Sequence, residues 1–201
     1  MTVLSFTVTF HGPFRVGAAY ARDGIHAAVD PGDALPADHL KGLMRAAAAE
    51  LLGSPGHTAI GAVFGSRRTP SPWAWSHATP LGQPDWTITQ RHRVTIDERT
   101  HSARKDHLVL GEQAWAPQAR FAVTRVGVIP GAEGLPESTH TALLRCAAAG
   151  VHGIGGWRRR GLGWVGIASD AAPVTADDIA LLRELDAQWQ PMAPQAPEAG
   201  R

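Results

Sequence analysis

The order of patterns along this 201-residue chain predicts an α+β fold: strand, helix, strand hairpin, helix, strand, then a terminal helix. Three observations carry that prediction. Residues Thr2 to Phe10 alternate polar and apolar side chains, as a half-buried strand does. Two segments, Pro36 to Leu52 and Pro136 to Ala149, place apolar residues at helical spacing. Strand-like runs broken by turn residues lie between them, and a last apolar run, Gly163 to Ala168, follows the second helix. A βαββαβ order is the ferredoxin-like, or RRM-like, arrangement.

In the first strand Leu4, Phe6, Val8 and Phe10 face one way, and Ser5, Thr7 and Thr9 the other. Periodicity then stops from Gly12 to Pro36, a length at which a loop is usually functional or disordered. This region carries Arg22, Asp23, His26, Asp30 and Asp33, with His11 just before it. The first helix is expected to start with Asp38 as its N-cap and to stop at Gly53. Leu40, Leu43, Met44, Ala47, Ala48, Leu51 and Leu52 form its apolar stripe. Gly42 inside it costs ~1 kcal/mol relative to alanine, so another backbone is expected to come close there. Lys41 and Arg45 lie off the stripe; Lys41 near the helix start suits either a phosphate contact or plain solvation.

Turn residues dominate Gly53 to Trp86, around a short apolar run from Ile60 to Gly65 and an alternation at Trp73 and Trp75 that permits a short strand. Trp86 to Arg93 and Arg120 to Ile129 read as strands, and the polar run Asp97 to His107 as the exposed tip of a long hairpin. The second helix takes Ser138 as its predicted N-cap and Gly150 as its stop. The third begins with a capping-box pair, Thr175 and Asp178, and runs to about Gln190. Residues Pro191 to Arg201 are rich in Pro and Ala and are expected to be disordered. A single domain over 1–190 follows. Its first and last strands are expected near the sheet centre, so that the loops after the first strand and after the second helix converge on one surface.

Composition narrows the function. A net charge of +1 leaves nucleic-acid affinity to local patches. Three exist: Arg158 to Arg160; Arg91, Arg93, Arg99, Arg104 and Lys105; and the pair Arg67 and Arg68. Cys146 is the single cysteine, which excludes an intrachain disulfide and a cysteine-built zinc site; its Ala-rich helical surroundings predict burial. No stretch reaches the ~20 apolar residues of a membrane span and no secretory signal is visible, so a cytoplasmic protein is expected.

The densest stretch is Gly153 to Gly166, with six glycines, three consecutive arginines and two tryptophans in fourteen residues. Glycine lets another backbone come close, arginine offers a planar fork of donors to phosphate, and tryptophan offers a face to a base or a cation. An extended anion fits that set. Neither a dinucleotide fingerprint nor a Walker loop is spelled here, since no strand leads straight into the glycines and no Gly-Lys-Ser/Thr closes them.

Four stretches, in order, resemble one family. Leu35 to Arg45 (LPADHLKGLMR) is similar to an Ile-Pro-Gly-Ser-Ser-Leu-Lys-Gly-x-x-Arg segment, and Val63-Phe64-Gly65 to Leu-Phe-Gly. Val94 to Thr100 (VTIDERT) is similar to a Thr-Ile-Asp-Arg-x-Thr run, and Ile154 to Val165 to a Leu-Gly-Gly-x-x-Ser-Arg-Gly-Tyr-Gly-Lys-Val loop. The chain thereby resembles the RAMP (repeat-associated mysterious protein) superfamily of CRISPR systems, and within it the backbone subunit of type III effector complexes. It departs from the pattern at Ala37-Asp38-His39, at Trp157-Arg158-Arg159, and at Trp164, which stands where the family has a basic residue.

The resemblance implies a ferredoxin-like palm, an inserted thumb hairpin over about 93–112 and a C-terminal helix. It implies a guide (CRISPR) RNA gripped by Lys41, Arg45, Gly155, Gly156, Arg158, Arg159, Arg160 and Gly161, with Arg99 and His101 at the thumb. Target RNA would pair with that guide, and other RAMP subunits and copies of this chain would stack head-to-tail along it. It further implies that Asp23, upstream of Asp30-Pro31, is the catalytic residue of an endoribonuclease, serving as base or holding a divalent metal, Mg. Asp30 would cap a turn. Two alternatives stand beside that reading: a non-catalytic guide-RNA scaffold, and a precursor-processing endoribonuclease using His11 or His26 as general acid or base.

Overall fold

A computed structural model of the chain describes residues 1–20, 24–129 and 134–189. The expected disorder of the tail beyond Gln190 and the placement of Asp23 both fall outside these residues.

The fold is α+β and ferredoxin-like. Strand β1, Val3–Phe10, is followed by helices α1, Ala37–Leu51, and α2, Thr58–Phe64, and by the short strands β2, Trp73–Trp75, and β3, Thr79–Pro80. Strands β4, Thr87–Arg93, and β5, Val109–Trp115, form a separate two-stranded ribbon; β6, Gln118–Arg125, returns to the main sheet. Helix α3, Glu137–Ala149, strand β7, Val165–Ser169, and helix α4, Ala176–Gln188, complete the order. The main sheet runs β2-β6-β1-β7, with β3 also on β6. Both central pairings, β1 with β6 and β1 with β7, are antiparallel.

Two sequence expectations are corrected by that topology. The last strand, β7, lies at the sheet edge, and the central pair is β1 with β6. The strand that follows the first helices into the palm is the three-residue β2; the longer Trp86 to Arg93 run belongs to the ribbon. Strand β6 also stops at Arg125, short of Ile129. Beyond it the N–H groups of Val126 and Gly127 both turn to the Pro72 carbonyl.

The alternation of β1 decides which face is covered. Leu4, Phe6, Val8 and Phe10 are buried against α1 (Leu40, Met44, Ala47, Ala48) and α3 (Leu143, Leu144, Ala147, Ala148). Phe6 stacks on Phe121 across the sheet with ring centroids 5.2 Å apart. Cys146 is buried in this layer, as its pattern predicts. The opposite face, from Ser5, Thr7, Thr9, Gln118, Arg120, Gly166 and Ala168, is small and polar, with Thr7 and Arg120 both bonded to Asp170.

Helix starts differ from prediction in a consistent way. Pro36 and Pro136 occupy the N-cap positions of α1 and α3, where neither supplies a side-chain acceptor. Asp38 and Ser138 instead sit in the first turns, where the carboxylate of Asp38 still favours the positive end of the helix. Gly42 has open space where a Cβ would stand, so no neighbouring backbone among the described residues accounts for it. The capping box of α4 forms as predicted: Asp178 N–H donates to Thr175 Oγ1 at 3.1 Å and Thr175 N–H to Asp178 Oδ2 at 3.0 Å. Arg145 binds the same carboxylate and ties α4 to α3. At the other end of α4, Trp189 stacks on His57, whose Nδ1 accepts from Ala59 N–H; the remaining ring N–H faces the Leu185 carbonyl at 3.3 Å.

Candidate nucleic-acid interface

The glycine loop is locked onto the segment that follows β1, the convergence predicted from strand order. Gly156 N–H donates to the Arg15 carbonyl at 2.8 Å, Gly163 N–H to the Pro13 carbonyl at 2.8 Å, and Gly155 N–H to His39 Nε2 at 3.2 Å. Gly155 has φ +70°, and a Cβ there would lie 2.1 Å from the Arg15 carbonyl oxygen. At Gly163, φ +77°, it would lie 2.0 Å from the Ile154 carbonyl oxygen. Only glycine satisfies both the backbone angle and the approach. His39 must be neutral at Nε2 to accept, and burial, then the Arg158 charge, holds its pKa below the ordinary imidazole value.

With its base fixed, the loop turns its arginines outward. Trp157, at φ 59°, and Gly161, at φ 78°, bracket a single 3-10 turn of Arg158, Arg159 and Arg160, all exposed. The predicted residues Gly155, Gly156, Arg158, Arg159 and Arg160 line one cleft of about 480 Å³ together with Trp157 and Arg93 of the ribbon. Among the described residues no carboxylate lines it. Gly161 closes the turn just outside.

The ribbon reaches this cleft through β5. Phe14 bridges to Ala114 and Ala27 to Gly111, so the loop after β1 runs along the ribbon's edge. Trp157 packs on Gly111, where a Cβ would fall 2.4 Å from its ring. Arg15 and Arg93 lie over the Trp157 indole at 4.8 and 4.7 Å from the ring centroid. Sequence reasoning missed Arg15 entirely and counted Arg93 only as part of a charge run. The available signal was position: Arg15 is the one cation in the first stretch of a loop expected to meet the glycines.

Lys41 and Arg45 line a second cleft, of about 670 Å³, with Phe64 to Arg67, Thr69 to Ser71 and Trp73. Arg45 donates to the Gly65 carbonyl at 2.6 Å and so also holds the turn that ends α2. Lys41 Nζ lies 5.3 Å from the Trp75 ring centroid. Arg99 and His101 are apart from both clefts, at the ribbon tip. There Asp97 is a turn former: its Oδ1 accepts from Arg99 N–H, Thr100 N–H and Thr100 Oγ1. Those bonds, Thr100's first, pull its pKa down. His101 takes φ 52° in that turn.

Of the loop residues weighed for chemistry, Asp30 caps a turn as expected, accepting from Gly32 N–H at 2.9 Å. His26 is pinned to the ribbon: its N–H donates to the Leu110 carbonyl, and its Nδ1 accepts from Leu110 N–H at 3.2 Å. His11 is exposed beside β7. Asp23, and with it the expected metal, lies outside the described residues. Among the described residues no group of three His, Cys, Asp or Glu is placed to hold a metal ion, and no helix is long and apolar enough to cross a membrane.

Fold and surface therefore define a ferredoxin-like chain whose glycine loop and ribbon base present clustered arginines. Among solved structures it is similar to a chain of the type III-B Cmr-beta bound to cognate target RNA, seen by cryo-EM. The TM-score is 0.54 and the identity 17%, over 82% of this chain and 58% of that one. The likeness is one of fold, and this chain spans little more than half the neighbour's length. No family model and no curated protein matches the sequence.

Proposed function

We propose that this chain is a guide-RNA-binding backbone subunit of a type III CRISPR effector complex. The observation that carries the reading is the arginine cleft, lined by no carboxylate among the described residues and built on a glycine loop, in a fold shared with a chain of an RNA-bound type III-B assembly. Phosphate contacts supply affinity without reading sequence, which suits a subunit that must hold any guide while base pairing selects the target. In this reading Arg158 to Arg160 take guide phosphates, Gly155 and Gly156 shape the cleft while their amides hold the loop to His39 and Arg15, Lys41 and Arg45 take a neighbouring stretch, and the ribbon tip with Arg99 and His101 reaches toward the paired strands. Copies of the chain stack head-to-tail with other subunits in the cytoplasm.

Target cleavage belongs to the same proposal. RNA carries its own nucleophile, the 2′-OH, so one carboxylate acting as base or holding a divalent metal such as Mg is enough. Asp23 is the residue assigned. The engagement of His26 Nδ1 with the ribbon backbone speaks against His26 as the general acid or base of a processing enzyme. The test is Asp23→Ala in a reconstituted complex: target RNA remains bound and is no longer cut at regular intervals. Unchanged regular cutting removes Asp23 from catalysis, and a complex that never cuts leaves the scaffold role.

A further inference from the structure

The Trp157 indole is engaged by cations of its own chain. Two guanidinium groups of its own chain already lie over the ring, Arg15 from the segment after β1 and Arg93 from the last position of β4. Arg15 spends one donor on the Ala27 carbonyl, at 3.4 Å. Among the described residues neither arginine has a carboxylate partner. Glu112, next to Gly111 on β5, accepts from the Val29 amide. Burial also lowers the pKa of Arg15. A guanidinium stacked on an indole keeps its donor edge free and fixed in direction.

We propose that Arg15, Arg93 and Trp157 form a phosphate clamp at the junction of ribbon and palm. It takes one phosphate of a bound RNA strand and fixes the ribbon against the glycine loop. The clamp joins three segments distant in sequence: the loop after β1, the ribbon and the glycine loop. Gathered without an anion, their like charges repel; a phosphate between them relieves that repulsion and holds the ribbon in one orientation. The inference rests on the RNA-binding reading for the identity of its anion.

The test is binding of a 5′-labelled single-stranded RNA to the full chain, followed by anisotropy across a KCl series. Arg15→Gln with Arg93→Gln should weaken binding about tenfold and make the salt slope shallower by about 0.7, the value for one phosphate on a single strand. Arg15→Lys with Arg93→Lys keeps the charges and loses the stacked forks, so affinity falls while the slope stays. Hydrogen exchange gives an independent readout: pyrophosphate should slow exchange of the β4 and β5 amides in the parent and not in the Gln variant. A Gln variant with the parent's affinity and slope overturns the clamp, as does equal pyrophosphate protection in both proteins. A parent that ignores RNA yet shows the pyrophosphate effect keeps the clamp and removes the RNA reading.

Discussion

Replacing Gly155 by alanine strikes the joint on which the interface depends. The added Cβ would stand 2.1 Å from the Arg15 carbonyl oxygen, a backbone atom with no rotamer to escape into. Holding alanine at φ +70° costs roughly 1–2 kcal/mol. Relieving the overlap means separating the loop from the 13–16 segment, which breaks the Gly156-to-Arg15 and Gly163-to-Pro13 hydrogen bonds. Each contributes about 1 kcal/mol. The sum is a loss of about 3–4 kcal/mol, a large part of the stability of a typical domain. Gly161→Ala is the internal control. It has φ +78° but open space around its Cβ position, so only the angular penalty of roughly 1–2 kcal/mol applies. Urea unfolding of the parent and both variants reads the difference. Equal losses at the two positions would refute the argument, since the backbone contact would then contribute nothing.

Stability should depend on pH in two windows. His140, buried and accepting from Trp73 Nε1–H, has its pKa lowered chiefly by burial, and His39 likewise. The unfolded chain therefore binds more protons, and stability falls as pH drops from about 6.5 toward the folded values; His140→Gln should flatten part of that slope in pH-dependent thermal melts. Asp178 is held below the usual carboxylate range, first by its hydrogen bond from Arg145. Its contribution is present above pH 3.8, the ordinary value, and is lost as pH falls through the folded one. Asp178→Asn should lower stability near neutrality and remove that acid-end decline.

Much of this architecture is legible in the sequence because it rests on local pattern. The alternation of β1, the stripe of α1 and the Thr175–Asp178 box each satisfy a short-range rule, and each forms, except that Leu51 of the expected stripe is exposed. The meeting of the β1 loop with the glycine loop follows from strand order alone. What fails is tertiary. Trp73 to Trp75 is too short to outrank Trp86 to Arg93 as the palm strand, although it is the one that pairs with β6. Helix α2 hides in a seven-residue apolar run whose length suits a strand as well. Proline takes two N-cap positions that the nearby Asp38 and Ser138 were expected to fill. At the interface the arginine triplet stands out in sequence, whereas the Arg15–Trp157–Arg93 group does not, because its members are over a hundred residues apart at the extremes.

The central claim is that the exposed turn of the glycine loop is the surface that meets RNA. It is tested most directly by the salt dependence of RNA binding when Arg158, Arg159 and Arg160 are all changed to glutamine. The three side chains are exposed and, among the described residues, make no ion pair, so the fold should survive with unchanged melting. The account predicts weaker binding to every single-stranded sequence and a slope shallower by about 2, three phosphates at roughly 0.7 each. A triple variant that binds RNA with the parent's affinity and slope would contradict it.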